Sequence, residues 1–236
     1  MRRFVASSVR LLASEGWSPA VLERWQLIWT KEGGALNATD PKVPSSIRYH
    51  IVDIWLEELS KVVLSLRQEA KAAVEASSTS SSNLSEKKNR LPLLELLQPF
   101  IRAIALTDAK VLYGKIYAGI FEPLLRATET IGAESLADAA HTTVLPILLA
   151  STNGDYATGS GPDGDQDVAA VARPSRIEGL RSELIKALYA EAGQETCRGS
   201  NRHKLYAIHI SERDRVETLE DEGVLPLRAD EEGDGK

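Results

Sequence analysis

The residues with the clearest spacing for chemistry are three aspartates in the stretch PDGDQD. Asp163, Asp165 and Asp167 alternate as the first three ligands of a calcium-binding loop do. Such a loop also needs glycine at its sixth position and glutamate at its twelfth. The chain has Val168 and Pro174 at these two positions. We therefore interpret the stretch as a solvated acidic loop and not as a metal site.

Nucleophiles and bases are present, but their spacing does not indicate catalysis. The four histidines, His50, His141, His203 and His209, do not have the spacing of metal ligands, and the single cysteine, Cys197, has no base placed beside it in the sequence. Asp53, Glu57 and Glu58 share one helical stretch, where paired carboxylates are able to do acid–base chemistry. Exposed helix carboxylates close to a lysine, here Lys61, more commonly form a solvated face. We predict no enzymatic activity, no metal, no cofactor and no small-molecule substrate.

Two clusters of basic residues are candidates for contacts with phosphate groups of RNA. One follows a serine-rich stretch, and the other opens the last predicted helix. The clusters are Lys87, Lys88 and Arg90, and Arg198, Arg202, His203 and Lys204. Ordinary surface charge is the other interpretation of both clusters.

The distribution of charge limits any RNA contact to a local one. Residues 1–150 hold 17 Lys+Arg against 16 Asp+Glu, and residues 151–236 hold 11 against 18. The formal net charge is −6. A free-standing nucleic-acid-binding protein is expected to carry a strong positive charge over a whole face.

Helices are predicted to position all of these residues. Apolar residues recur at spacings of three and four, and the alternation typical of strands is nearly absent. The fold class is therefore all-α, an irregular solenoid of helical hairpins (HEAT-like) or a helical array with flexible polar inserts. Helices are expected over roughly residues 2–15, 134–150, 175–192 and 200–220, and two more begin at the prolines and serines near residues 19 and 45.

The stretch PKVPSSIRYHIVDIWLEEL has the most informative helical pattern. Pro41 and Pro44 favour extended backbone before it, and its serines are typical helix caps. Two apolar stripes follow, displaced around the helix axis: Ile47, Ile51, Ile54, Trp55, Leu59, Val62 and Leu66, and Tyr49, Val52, Leu56 and Val63. A helix with two apolar stripes has neighbours on two sides, so we predict that this one is central to the array.

Similar patterns assign positions on the other helices. Phe4, Ile28 and Val111 each fall on a predicted buried face. Asp108 is a candidate N-cap of the helix that follows it. Pro99 is expected to kink or break its helix, because proline lacks the backbone N–H of a helical hydrogen bond.

Composition divides the chain into helical and polar parts. Residues 1–150 are predicted to form a helical array with a Ser-rich insert at about residues 77–90. Residues 151–173 are predicted to be a disordered acidic, Gly-rich loop, and residues 174–222 a C-terminal helical pair that completes the array. Residues 223–236 form an acidic tail.

Four stretches of the chain together resemble a known family. TDPKVPSSIRYHIVDIWLEELSKV is similar to the signature of the eukaryotic ribosomal RNA-processing protein one family, also called the nucleolar Nop52 family. MRRFVASSVRLL, LPLLELLQPFIRAIALTDAKVLYGKIYAGIFEPLL and NRHKLYAIH resemble, in the same order, further helical motifs of that family. Family members begin with additional helical hairpins before the first motif, so a truncated or genuinely short form is expected.

The resemblance implies a non-catalytic nucleolar factor of ribosome biogenesis. It implies a scaffold role in the large-subunit pre-ribosomal particle, required for precursor rRNA processing, with ribosome assembly factors as partners. Local contact with precursor rRNA is expected at the two basic clusters. The polar residues of the signature, Lys42, Arg48, Asp53 and Glu57, are the candidates for contact with protein partners.

Two alternative interpretations stay open at this point. One is a generic helical adaptor between proteins in the cytoplasm or nucleus. The other is a mitochondrial helical protein, because residues 1–15 are basic, contain serine and have no acidic residue before Glu15, as in a transit peptide. An amphipathic core helix is the structural explanation of the same segment. No apolar run approaches the roughly 20 residues that cross a bilayer, so no membrane partner is predicted.

Overall fold

Helices are the regular elements of the structure. The computed structural model describes residues 1–76, 90–130, 139–153 and 174–221, and the all-α class is confirmed there. The elements are α1 (Arg2–Ser14), α2 (Pro19–Thr30), α3 (Ser45–Ala76), α4 (Leu93–Leu106), α5 (Lys110–Ile116), a π-helical segment (Tyr117–Phe121), α6 (Glu122–Thr130), α7 (Ala139–Asn153), α8 (Pro174–Gly193) and α9 (Gly199–Asp221). Most of the predicted Ser-rich insert and acidic loop, and the whole acidic tail, lie outside the described residues.

Several helix ends follow the local rules of sequence. Gly16 has a φ of +62° just after α1, a left-handed conformation that glycine adopts without a steric penalty. Pro19 is the first residue of α2 and Pro44 directly precedes α3, as predicted. The prediction for Asp108 was wrong, because Ala109 is the N-cap of α5 and its side chain makes no capping bond.

Helix α4 continues through Pro99, so the predicted break does not occur. A proline inside a helix leaves the carbonyl four residues earlier without its N–H donor. Here that carbonyl belongs to Glu95, and the Gln26 side chain of α2 donates a hydrogen bond to it at 2.8 Å. A neighbouring helix therefore satisfies the group that the proline leaves open.

Helix α3 is the central helix that its two apolar stripes predicted. It packs against α1, α5, the π-helical segment and α7. Ile51, Trp55 and Leu59 of the first stripe and Val52 of the second are almost completely buried. Helix α4 has a similar place, because it contacts α2, α5, α8 and α9. Contacts between helices distant in sequence, such as α3 with α7, make the fold a layered helical array.

An aromatic cluster joins three helices in the core. The ring centroids of Trp25 and Trp29 in α2 lie 5.7 and 5.8 Å from that of Trp55 in α3. Phe100 of α4 lies 4.9 Å from Trp55 on centroids. These tilted and edge-on arrangements are the favourable ones for aromatic rings.

The prediction of burial was wrong at Phe4, Ile28 and Val111, whose exposed fractions are 52%, 51% and 60%. Each lies at the margin of an apolar face of its helix. The helical period shows the direction of that face, but its width depends on how many neighbours cover it. Phe4 still contacts the core, with its ring centroid 5.7 Å from that of Trp29.

Helix α1 is a structural part of the core, with Val5, Val9 and Leu12 buried. This agrees with the structural explanation of residues 1–15. Within the described ranges, no helix is long and apolar enough to span a membrane.

We expect Trp55→Ala to lower the free energy of unfolding by about 3–5 kcal/mol, because it removes a fully buried ring and leaves a cavity. Chemical denaturation of the purified chain measures this loss. Trp55→Phe should lose less, since it keeps an apolar ring and removes an indole N–H that has no acceptor among the described residues. Leu64→Ala on the same helix, where the side chain is 41% exposed, serves as the control and should change stability little. Equal effects of Trp55→Ala and Leu64→Ala would contradict a central α3.

Candidate partner-binding surface

The outer side of α3 carries a strip of charged residues from the signature stretch. Asp53 forms an ion pair with Lys115 of α5, with Nζ and Oδ1 2.8 Å apart. Glu57 forms ion pairs with Arg2 of α1 and with Lys61, both at 2.6 Å. The strip therefore spans three helices and presents charges that are held in fixed positions. Asp53 and Glu57 are about half exposed, so a partner is able to reach them.

The same ion pairs shift the acidity of two adjacent carboxyl groups. Hydrogen bonds from Lys61 and Arg2 lower the pKa of Glu57 below its ordinary value. Burial alone would raise the pKa of Glu58, but hydrogen bonds from the same two cations bring it below its ordinary value as well. Both groups therefore stay charged at neutral pH.

The loop before α3 is organised by two buried polar residues. Arg48 is 6% exposed and donates hydrogen bonds to the carbonyl oxygens of Asn37 and Asp40. The Asp40 carboxylate accepts backbone N–H bonds from Gly33 and Lys42, both at 2.8 Å, and these bonds lower its pKa. The guanidinium of Arg48 thus holds the loop that leads into the signature helix.

Of the four signature residues predicted to contact partners, three have exposed charged groups and one does not. Lys42 is exposed and forms an ion pair with Glu32 at 2.9 Å. Asp53 and Glu57 lie in the strip on α3. Arg48 offers little surface to a partner. The partner-binding role of all four stays a prediction.

The π-helical segment fits closely against the signature helix. A Cβ atom added at Gly119 would lie 2.9 Å from Cγ1 of Val52, which is closer than ordinary contacts allow. Ile116, Ile120 and Phe121 are completely buried around it. The wider π-helical turn, which often occurs at functional sites, thus brings backbone and not a side chain against α3.

The first basic cluster lies mostly outside the described residues, as Lys87 and Lys88 do. Arg90 is described, and its Nε donates a hydrogen bond to the carbonyl oxygen of Ser151 at the end of α7. The backbone N–H of Leu91 bonds the carbonyl of Ala150 at 3.0 Å. These two contacts fix the start of α4 next to α7.

Two members of the second basic cluster make contacts within the chain through their guanidinium groups. Arg202 donates hydrogen bonds to the carbonyl oxygens of Ala192, Gln194 and Cys197, at 2.9, 2.8 and 3.4 Å. It therefore satisfies carbonyls at and beyond the C-terminal end of α8. Arg198 is half exposed and bonds the carbonyl oxygen of Leu106 at 3.2 Å.

Lys204 differs from these arginines. Its Nζ lies 4.3 Å from the centroid of the Tyr113 ring, in a cation–π geometry, and its side chain is exposed. Burial raises the pKa of Tyr113 to about 12, so the ring stays neutral beneath the cation. Contact of Arg198, Arg202 and Lys204 with RNA stays a prediction.

The C-terminal pair α8–α9 is joined to the end of α4 by backbone contacts that sequence reasoning did not find. The Asn201 side chain donates to the carbonyls of Ala105 and Thr107, at 3.3 and 2.7 Å. The backbone N–H of Arg198 also bonds the Ala105 carbonyl, at 3.2 Å. Asn201 belongs to the NRHKLYAIH motif. The sequence identified the motif but did not show that Asn201 joins α9 to the end of α4.

A buried ion-pair network was also missed. Arg181 of α8 donates two hydrogen bonds to the Glu212 carboxylate of α9, at 2.8 and 2.6 Å. It also bonds the carbonyl of Leu125 and the hydroxyl of Thr128 in α6. Arg215 adds a second cation, with its N atom 2.7 Å from Glu212 Oε1. Spacing along one helix cannot show a network whose members lie on three helices.

The environment of Glu212 combines two opposite effects. Burial alone would raise its pKa, but the hydrogen bonds from Arg181 and Arg215 lower it below the ordinary value. Glu212 is therefore an ionised carboxylate inside the helical array. In the described part of the chain, no group of three or more His, Cys, Asp or Glu side chains has the arrangement of a metal site.

Comparison with models of protein families shows which family the chain resembles. The family model described as "Nucleolar protein, Nop52" matches residues 1–146. This region contains α3 with the signature stretch. It also contains the stretch that begins with MRRF and the stretch that begins with LPLL, which ends within α6. No curated protein matches the chain.

We expect Glu212→Gln to destabilise the chain at neutral pH by about 1.5–3 kcal/mol, the usual contribution of hydrogen bonds to a charged group. The folded-state pKa of Glu212 is lowered, so its stabilising contribution is present above the unfolded value near 4.5. That contribution is lost as pH falls through the folded-state pKa. The difference between wild type and variant, measured by denaturation at several pH values, should therefore shrink below about pH 4.5.

Glu217→Gln is the control for this experiment, because Glu217 is an exposed carboxyl on the same helix. It should leave stability nearly unchanged at every pH. A difference between wild type and Glu212→Gln that is the same at pH 7 and pH 3 would contradict an ionised Glu212.

Proposed function

The chain belongs to the Nop52 family of nucleolar proteins, and on that premise we propose that it is a scaffold of large ribosomal subunit assembly, required for precursor rRNA processing. The family is a non-enzymatic family of ribosome biogenesis. The location of the chain is accordingly the nucleolus, and its general role is ribosome biogenesis. The scaffold role and the large-subunit precursor as its site of action are our proposals.

The observation that supports the scaffold role is the dual nature of α3. Its two apolar stripes hold the array together, and its outer side presents Asp53 and Glu57 in ion pairs with neighbouring helices. Because these side chains are already held in place, they would lose little conformational entropy when a partner binds them. A rigid surface of this kind suits a protein that positions other proteins, and we propose that it acts without catalysis.

The proposed partners are ribosome assembly factors and, locally, precursor rRNA. Assembly factors would contact the charged strip on α3 together with Lys42 in the preceding loop. Precursor rRNA would contact the two basic clusters, since phosphate groups pair with lysine and arginine whatever the base sequence. The formal net charge of −6 fits a protein whose main contacts are with other proteins.

We expect a tagged chain to sediment with large-subunit precursors in a density gradient of cell lysate, and not with small-subunit precursors. Depletion of the chain should increase the amount of unprocessed large-subunit precursor rRNA. Glu57→Ala should shift the chain towards the free fractions, because it removes a charge from the proposed contact surface. Glu69→Ala is a matched control, since Glu69 also lies on α3 and also pairs with an arginine of α1, Arg10.

Sedimentation of the wild-type chain only in the free fractions, or with small-subunit precursors, would contradict the proposed function. If Glu57→Ala and Glu69→Ala moved the chain towards the free fractions equally, the cause would be a general loss of ion pairs between α1 and α3. The charged strip would then be excluded as a contact surface. Unfolding temperatures of the purified variants show whether each is folded.

A second test concerns the first basic cluster. We expect Lys87→Glu combined with Lys88→Glu to leave the unfolding temperature of the purified chain unchanged, because both residues follow a polar, serine-rich stretch. The same double variant should leave the precursor particle at lower salt than wild type does, because contacts with phosphate are weakened by salt. A lower unfolding temperature, or release at the same salt concentration, would contradict the predicted phosphate contact.

A further inference from the structure

The seam between α8 and α9 exposes three aromatic side chains that touch one another. The Tyr189 ring of α8 lies 5.2 Å from the Tyr206 ring and 4.3 Å from the His209 ring of α9, measured between centroids. Tyr189 is 47% exposed, and the other two are partly exposed. A buried cluster of this kind would be explained by packing, but here much of the Tyr189 ring faces solvent.

Exposed cations flank these rings. Lys186 lies one helical turn before Tyr189 on α8, and Lys204 lies over Tyr113 on the opposite flank of α9. Lys110 is one turn before Tyr113 on α5. No ion pair joins Lys110, Lys186 or Lys204 to a carboxylate within the described ranges, so their charges are not neutralised by a close partner.

The solvent-facing side of α9 lies between the two groups of residues. Asn201, Leu205 and Glu212 define the buried side of α9. With about 100° between successive residues, Lys204 and Tyr206 fall near the two edges of the solvent-facing side. His203, which is exposed, lies between them. We define the aromatic–basic surface as Lys110, Lys186, Tyr189, Lys204, Tyr206 and His209.

The chemistry of this surface matches single-stranded nucleic acid. Exposed aromatic rings stack on bases of any sequence, and nearby lysines pair with the phosphates that connect them. RNA-binding proteins commonly recognise unpaired bases in this way, because bases within an A-form duplex are already stacked and paired. Binding of another protein would not require lysines that lack ion pairs on both sides of a row of aromatic rings.

We propose that the aromatic–basic surface binds single-stranded RNA, with bases on Tyr189, Tyr206 and His209 and phosphates on the flanking lysines. The inference rests on the proposed function, since it identifies the part of the chain that would contact precursor rRNA. All of the surface except Lys110 lies beyond residues 1–146, so it adds a binding site outside the region that the family model matches.

The charged part of the surface is tested with the purified full chain and a fluorescent oligouridylate of about 12 nucleotides, a length within the usual site size. Anisotropy titrations over about 50–200 mM salt give Kd and its salt dependence. Lys110→Glu combined with Lys204→Glu should raise Kd at least about tenfold and lower the salt slope by about 1.4, or about 0.7 for each lost phosphate contact. Arg24→Glu on α2 combined with Lys31→Glu directly after it makes the same change in net charge at exposed positions and should change Kd less than about threefold.

The aromatic part is tested by a pair of substitutions at one position. Tyr189→Leu keeps apolar bulk but removes the ring, and it should raise Kd about fivefold or more. Tyr189→Phe keeps the ring and should bind as wild type does. Duplex RNA of the same length should bind more weakly than the single strand, since its bases are not free to stack on the tyrosine.

The proposal is overturned by any of several results. These are no binding of the oligonucleotide, equal losses in the α2 control, equal Kd for Tyr189→Leu and wild type, and competition by inorganic polyphosphate as strong as that by unlabelled oligonucleotide. Such results leave the scaffold role intact if the wild-type chain still sediments with large-subunit precursors. Conversely, binding of the oligonucleotide by a chain that does not sediment with these particles supports the surface and contradicts the proposed function.

Discussion

Trp55 is the side chain on which the arrangement of the first four helices depends. It is completely buried, and its ring contacts Trp25 and Trp29 of α2 and Phe100 of α4. Helix α1 joins the same cluster through Phe4, which contacts Trp29. Because aromatic rings are large and have few rotamers, a cluster of them fixes both the distances and the angles between helices. The outer face of α3, and with it the charged strip, takes its position from this core.

The fold was predictable from the sequence where a pattern is repeated many times. Seven residues in one stripe and four in another were enough to identify α3 as a helix with neighbours on two sides, since each residue adds to the same periodic signal. The last two helices were placed within a few residues for the same reason. Single positions were less predictable. Pro99 does not break α4, because Gln26 of another helix bonds the carbonyl that the proline leaves free.

The candidate surface was only partly predictable, because sequence shows which charges exist but not where their partners lie. Asp53 and Glu57 were identified on α3, yet their ion pairs with Lys115 and Arg2 join residues more than 50 positions apart. Arg202 was grouped with possible phosphate ligands, although the structure directs its guanidinium to the end of α8. The π-helical turn at Tyr117–Phe121 had no signal beyond Gly119, whose close approach to Val52 is a property of the folded chain.

The hydrogen bonds at the end of α4 connect this helix to α8 and α9 and so affect which helices unfold together. The carbonyls of Ala105, Leu106 and Thr107 accept bonds from Arg198 and Asn201, far beyond the last residue that the family model matches. Removal of α8 and α9 would expose those carbonyls and the apolar side of α4 to water, and solvation of the carbonyls would not compensate for the lost apolar burial. A boundary set by sequence similarity is therefore not a boundary of cooperativity. The two C-terminal helices and α4 should open together in hydrogen exchange, as one cooperative unit that extends past residue 146, where the family match ends.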